Sequence, residues 1–371
     1  MICRVAAILA AFAGPLVAQR EPVLKQIRVP HNYYYREMYL PQLTTGPSGA
    51  AWSPDGRELV FSMGGSLWRQ RLGSAVAQQL TDGPGYDYQP DWSPAGDVIA
   101  YTSYRNDAAG IFLLDLATLE SWPVTADSAV NVEPRWSPDG KQLAFVSTRL
   151  EGRWHIWVAD FPDGKRPGES RRLTEDRDSR LPRYYYSRFD HYLSPTWSPD
   201  GRELILISNR DDIWGSGGFW RMEARAGAPM RRIHDEETTW KARPDWSPDG
   251  RRVVFSSYLG RQWNQLWLMT AEGGDPLQLT YGEFDATAPR WSPDGRRIAY
   301  ISNEGGNTSL WVLDVPGGAR RRIGQDSLIH RAATGELLVR VREAGDASLA
   351  AARVSVTLSD GRTRAPAGAW Q

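Results

Sequence analysis

Trp52-Ser53-Pro54-Asp55-Gly56 is the stretch whose reading decides the fold, because the chain repeats it. Identical copies stand at 136–140, 197–201, 246–250 and 291–295, and Trp92-Ser93-Pro94-Ala95-Gly96 differs only in its Ala. The motif is turn chemistry. Pro presets φ at the second position of a β-turn, Ser and Asp accept from nearby N–H groups, and Gly takes the left-handed residue. The Trp ahead of it offers a large apolar face to wedge between sheets. Successive Trp residues lie 40, 44, 61, 49 and 45 apart. Four-stranded propeller blades use about 40–45 residues each, so only the 61-residue interval demands an insertion.

Each copy continues in the same way. An apolar run follows the Gly, as in Leu59-Val60-Phe61-Ser62 and Val253-Val254-Phe255-Ser256. An aromatic run comes next (Ile156-Trp157-Val158, Leu266-Trp267-Leu268), then a short polar one (Gln79-Leu80-Thr81, Arg172-Leu173-Thr174, Gln278-Leu279-Thr280). With the segment leading into the Trp this makes four strands per repeat. A lone four-stranded sheet cannot bury both faces, whereas a ring of them can. The reading is all-β: a six-bladed β-propeller whose structural repeat residues are Trp52, Trp92, Trp136, Trp197, Trp246 and Trp291. Tyr39-Leu40-Pro41-Gln42-Leu43-Thr44 copies a blade-closing strand and is expected to join the last blade; a partial seventh blade drawing on residues 337–342 is the competing expectation.

The composition excludes some roles. Lys+Arg and Asp+Glu number 44 each, which lacks the positive excess that nucleic acid or an anionic membrane requires. Arg4 followed by an apolar stretch to Ala18 reads as a cleaved export signal, too short for the roughly 20 residues of a membrane span. The product is expected in the periplasm or outside the cell, without stable membrane insertion after cleavage. Cys3, the single cysteine, leaves with the signal. The domain reading is therefore signal peptide 1–18, N-terminal extension 19–38, propeller 39–325 and a C-terminal tail 326–371. The tail is β-rich, with alternating runs at 336–342 and 353–358 and a turn at Asp360-Gly361; it reads either as the start of a truncated β-sandwich module or as a poorly ordered C-terminal extension.

Residues 39–325 resemble the TolB-like, WD40-like (PD40) propeller family, whose repeat core is this Trp-Ser-Pro-Asp-Gly followed by an apolar strand. The resemblance implies the fold. TolB carries a sizeable α/β domain ahead of its propeller, where about twenty residues stand here between the signal and the first strand, and propeller-bearing peptidases add an α/β-hydrolase domain. A closer likeness, on 178–192, 240–246 and the tail, is to the propeller part of secreted bacterial amidohydrolase-like fusion proteins.

Catalytic patterns are not found. Gly215-Ser216-Gly217-Gly218 lacks the spacing of a nucleophile elbow. The five His (31, 155, 191, 234, 330) are scattered, and Glu175-Asp176-Arg177-Asp178 lacks the Gly and distal Glu of a calcium loop. No cofactor, metal or catalytic residue is read. Binding candidates are the insertion residues Arg183, Tyr184, Tyr185, Tyr186, Arg188, Asp190, His191 and Tyr192, since aromatics with Arg dominate binding hot spots. Tyr33, Tyr34 and Tyr35 are a weaker echo. Others lie on the segments entering each motif: Tyr86, Tyr88, Asp91, Asn131, Glu133, Arg135, Trp240, Lys241, Arg243, Asp285 and Arg290. Packing of the loop onto the propeller, or a channel satisfying its own charges with water and neighbours, which is the commoner case, explains the same residues. The functional expectation is an exported non-catalytic scaffold for an unknown protein or polar ligand at the propeller face or channel. The alternative is a substrate-gating domain of a larger metal-dependent amidohydrolase-like enzyme or peptidase.

Overall fold

The turn motif does what its residue types predict. In the first copy Gly56 N–H donates to Ser53 O (2.8 Å) and Ser53 Oγ donates to Asp55 Oδ1 (2.6 Å), while Glu58 N–H donates to Ser53 Oγ (2.9 Å). Gly56 sits at φ 67°, the left-handed region where a Cβ is strained. The Ala95 copy is repaired two residues on: Asp97, in the place of the usual Arg or Lys, accepts from Ser93 Oγ at 3.1 Å. Successive turns also stack. A Cβ built on Gly96, Gly140, Gly201, Gly250 or Gly295 would lie 3.6–3.9 Å from a ring carbon of the preceding motif's Pro. Gly56 stands in the same relation to Pro293, at 3.6 Å, so the six turns form a closed circle.

The protein is described here from a computed structural model. It covers residues 46–333 except 106–107, 184–186, 237–238, 240–241 and 260–261, together with 335, 340–342, 356–357 and 363–364. The stretch expected to be an export signal, the extension with Tyr33 to Tyr35, residues 39–44 with their expected closing strand, and Tyr184, Tyr185, Tyr186, Trp240 and Lys241 lie outside the described residues.

Six antiparallel sheets follow in chain order, each running from an innermost to an outermost strand. Blade 1 is β1 (Pro47–Trp52), β2 (Glu58–Met63), β3 (Ser66–Arg71) and β4 (Val76–Gln79). Blade 2 is β5 (Tyr86–Trp92), β6 (Val98–Arg105), β7 (Ala108–Asp115) and β8 (Ser121–Pro123), and blade 3 is β9 (Asn131–Trp136), β10 (Gln142–Leu150), β11 (Arg153–Asp160) and β12 (Ser170–Arg172). Blade 4 is β13 (Tyr192–Trp197), β14 (Glu203–Ser208), β15 (Gly218–Glu223) and β16 (Met230–His234). Blade 5 is β17 (Asp245–Trp246), β18 (Arg252–Ser257), β19 (Gln265–Thr270) and β20 (Leu277–Gln278). Blade 6 is β21 (Ala286–Trp291), β22 (Arg297–Ser302), β23 (Ser309–Asp314) and β24 (Arg320–Ile323). No helix occurs among the described residues.

The core lies between blades. Val60 and Leu67 of blade 1 meet Trp92, Ile99 and Tyr101 of blade 2, and Val254 and Leu266 of blade 5 meet Trp291 and Tyr300 of blade 6. The ring closes through the same packing, with Trp52 and Phe61 of blade 1 against Ile301, Leu310 and Val312 of blade 6. A hydroxyl lock recurs: Thr81, Thr125, Thr174 and Thr280 each accept the N–H of the residue that opens the aromatic run, at 2.9–3.2 Å. This explains the Leu-Thr or Val-Thr ending of those polar strands.

Two features of the chain ends bear on closure. Gly46 packs so tightly on Thr308 of blade 6 that a Cβ would collide with its carbonyl. Beyond blade 6, β25 (Ser327–Ile329) adds to β4 as a parallel fifth strand of blade 1. Gln70 of β3 donates to Gly324 O (2.7 Å), and Arg331 donates to Leu80 O (2.9 Å), so the segment straps the last blade to the first. Farther on, β26 (Val356–Thr357) pairs with β27 (Thr363–Arg364), flanking Asp360-Gly361.

Candidate functional site: the channel floor and the braced insertion

The innermost strands line the channel, and five of the six carry Pro two residues before the motif Trp. Pro has no N–H and sits in sheets at edges and bulges. The register slips there in blades 2, 3, 4 and 6, and the residue ahead of that Pro has positive φ in all five (Gln89, Glu133, Ser194, Arg243, Ala288). This bulge aims side chains inward from two layers. The residue immediately before each Trp forms one: Ala51, Asp91, Arg135, Thr196, Asp245, Arg290. The bulge residues with Gly49 form the other.

The layer nearest the turns repeats with a three-blade period, small–acidic–basic. Asp91 accepts from the Trp136 N–H through Oδ2 (2.7 Å), and Asp245 accepts from Trp291 N–H in the same way (2.7 Å). Their Oδ1 atoms face the arginines. Arg135 Nη1 lies 3.5 Å from Asp91 and 3.7 Å from Asp245; Arg290 donates to Asp91 and lies 3.5 Å from Asp245. Burial pushes the Asp91 carboxyl up to about 6 and Asp245 up to about 7, outweighing the pull of Arg135. In the second layer Glu133 accepts from Ser194 N–H (2.6 Å) and pairs with Arg243 across two blades. Tyr88 is buried next to Arg243, and burial raises its phenol well above the usual range.

The remaining strand-entry candidates are placed differently. Asn131 is buried and donates to Asp127 (2.7 Å) and Ala129 O (3.1 Å). Asp285 accepts from Asn264 N–H (2.9 Å), and Tyr86 is half-buried at the start of β5. Asp245, central to the floor, escaped the sequence reading; its position before a motif Trp, matching Asp91, was the available signal.

The 61-residue interval places its extra residues between β12 and β13. An isolated bridge between Asp178 and Phe189 folds them back. Arg183 is buried: Nε donates to Asp212 O (2.7 Å), Nη2 to Asp190 (2.7 Å) and Asn209 O (2.6 Å), and Nη1 to Ser187 O (3.2 Å) and Arg188 O (3.4 Å). His191 is buried too, donates from Nε2 to Ser216 O (2.9 Å), and is held neutral by burial, with its pKa lowered to about 4. Tyr192 is fully buried and stacks on His155, whose pKa burial likewise lowers to about 4. Arg183, Asp190, His191 and Tyr192 thus build the insertion from inside. Arg188 is exposed and pairs with Asp178. Missed from the sequence was the neighbouring β14–β15 loop, where Ile213 (41% exposed) and Trp214 (57%) stand out. Arg183 holds the backbone of Asp212, Arg232 its carboxylate (2.9 Å), and Arg177 holds Asp211 (2.8 Å).

The family model described as the TolB beta propeller domain matches residues 75–242 and 230–363. The chain belongs to this TolB β-propeller family. TolB from Acinetobacter baumannii shares its fold with a TM-score of 0.58 and 20% identity over 79% of this chain and 67% of that one. A putative TolB from Agrobacterium tumefaciens gives 0.53 and 22% over 67% and 84%. The tricorn protease gives 0.54 and 16% over 81% of this chain and 27% of that chain. Among the described residues of this TolB-like propeller, no three His, Cys, Asp or Glu gather to hold a metal, and no helix is long and apolar enough to cross a membrane.

Proposed function

We propose that this TolB-like propeller is an exported binding scaffold that engages a protein partner through the loops of blades 3 and 4. The observation behind it is the Ile213–Trp214 pair, exposed on a mount that buried Arg183 and its ion pairs hold still. A preorganised aromatic anchor loses little entropy on binding, and Trp with Arg is the composition of interface hot spots. Arg188 of the insertion is exposed, and its carbonyl accepts from the same Arg183 (3.4 Å). Export rests on the pattern of residues 1–18 and predicts a mature product beginning at Gln19, read by N-terminal sequencing. The binding test is capture from an envelope extract by the wild-type chain and by Trp214→Ala with Ile213→Ser. A partner held by both equally would sink the reading.

A second reading is kept because β26 and β27 form β structure beyond the propeller. On it, the propeller gates substrate for a larger metal-dependent amidohydrolase-like enzyme or peptidase. A continuation of the coding DNA past Gln371 rich in His and Asp would support it; unrelated sequence after an immediate stop would remove it.

A further inference from the structure

The channel floor is rich in donors and poor in acceptors. Arg135 and Arg290 carry roughly five N–H donors each. One oxygen of each Asp is already taken by a Trp N–H, which leaves Oδ1 of Asp91 and Oδ1 of Asp245. Arg290 makes a hydrogen bond to Asp91, but Arg135 Nη1 is buried without a hydrogen-bond partner, its carboxylate neighbours standing 3.5 and 3.7 Å away. An unmet buried donor is costly, and one beside a second guanidinium near the axis is an invitation to an acceptor. The other two places in the layer hold Ala51 and Thr196, which put no bulk toward the centre. Arg290 keeps 18% of its side chain exposed, so solvent reaches the cluster.

Charge decides which acceptor. With both Asp ionised the four groups are neutral, and an incoming anion would leave the floor negative. With one Asp protonated, the same anion restores neutrality. No other titratable side chain stands in this layer. In the neighbouring one Glu133 and Arg243 cancel, and Gly49, Gln89, Ser194 and Ala288 carry no charge. The planar guanidinium fork matches a carboxylate in geometry and in charge. We propose that the channel floor is a carboxylate-binding site in which Arg135 and Arg290 supply the donors and Asp91 or Asp245 takes a proton from solvent as the anion enters. The raised carboxyls of Asp91 and Asp245 agree with that proton uptake near neutral pH.

The probe is acetate, titrated calorimetrically into the full chain at about pH 6 and about pH 8, in two buffers of different ionisation enthalpy. The expected result is binding at least roughly tenfold tighter at the lower pH, with proton uptake approaching one per anion at about pH 8 and smaller at about pH 6, where the floor already holds a proton. Asp91→Asn with Asp245→Asn should bind equally at both pH values without proton uptake. Arg135→Met with Arg290→Met should lose binding; the paired Lys replacements, which keep charge, should fold and bind more weakly for want of the fork. Absence of binding in both the wild type and the Asn variant overturns the proposal. So does binding that survives the Met pair, or that shows no proton linkage in the wild type.

Discussion

The braced insertion and the channel floor are both buried Arg–Asp clusters, and they differ in where the donors end. Every nitrogen of the Arg183 guanidinium donates to an oxygen of the insertion or of the β14–β15 loop, at 2.6–3.4 Å. Arg135, by contrast, meets its carboxylates only at 3.5 and 3.7 Å. A buried arginine whose hydrogen bonds are all made is a fastener: its geometry is already used. One whose bonds are left open beside acids of raised pKa is a group whose charge balance can change. Composition alone does not separate the two cases, because both are Arg and Asp near aromatic residues.

The sharpest way to break this contrast is Arg183→Met. It leaves the buried Asp190 carboxylate with Arg177 alone (3.0 Å), strips the donor from four backbone carbonyls and removes the tether on the Ile213–Trp214 loop. Breaking a buried pair in this way costs roughly 3–5 kcal/mol, which urea unfolding would read, with faster protease nicking in the 175–191 insertion. Arg135→Met should cost less than that, since its two ion pairs, at 3.5 and 3.7 Å, carry no hydrogen bond and Arg290 stays between the two Asp. Equal losses in the two variants would erase the distinction.

The next effect is pH dependence, where the two regions carry opposite signs. His155 and His191 are depressed, so their contribution is present above about 6.5 and is lost as pH falls through about 4. Asp91 and Asp245 are raised, so theirs is present below about 3.8 and is lost as pH rises through about 6 to 7. In the wild type the two trends oppose each other between those limits. Asp91→Asn with Asp245→Asn should remove the falling limb, so that unfolding midpoints climb more steeply with pH between about 4 and 6.5. An unchanged pH profile would show that the floor does not titrate there.

How much of this was legible follows from how local each signal is. The six turns were readable because Ser, Pro, Asp and Gly act within five residues, and even the Ala95 variant carries its remedy at Asp97. The floor is not local. Asp91 meets Arg290 across a sequence separation of 199 residues, and only the shared place before the motif Trp hints at it. The x-Pro-x-Trp pattern in five blades was visible in the sequence, and its bulge is what turns those side chains inward. Arg183 and His191 had the composition of a hot spot, but the insertion is long enough to fold an interior of its own. The strap by β25 follows no repeat, so nothing in the sequence pointed to blade 1 as its partner.

The smallest effect on stability tests the largest functional claim. Trp214 is more than half exposed, so its side chain adds little to the core. Trp214→Ala should shift stability by no more than about 0.5 kcal/mol, as surface substitutions do. The same change removes the largest apolar group the loop presents. Truncating an interface anchor costs on the order of 2 kcal/mol or more in binding, some thirtyfold in affinity. Arg183→Met should weaken the same partner with Trp214 still present, because it loosens the mount rather than removing the anchor. Affinities of the two variants for a captured partner therefore separate contact from preorganisation. If Arg183→Met destabilises the chain while leaving affinity intact, the brace serves the fold alone and the partner reads Trp214 without it.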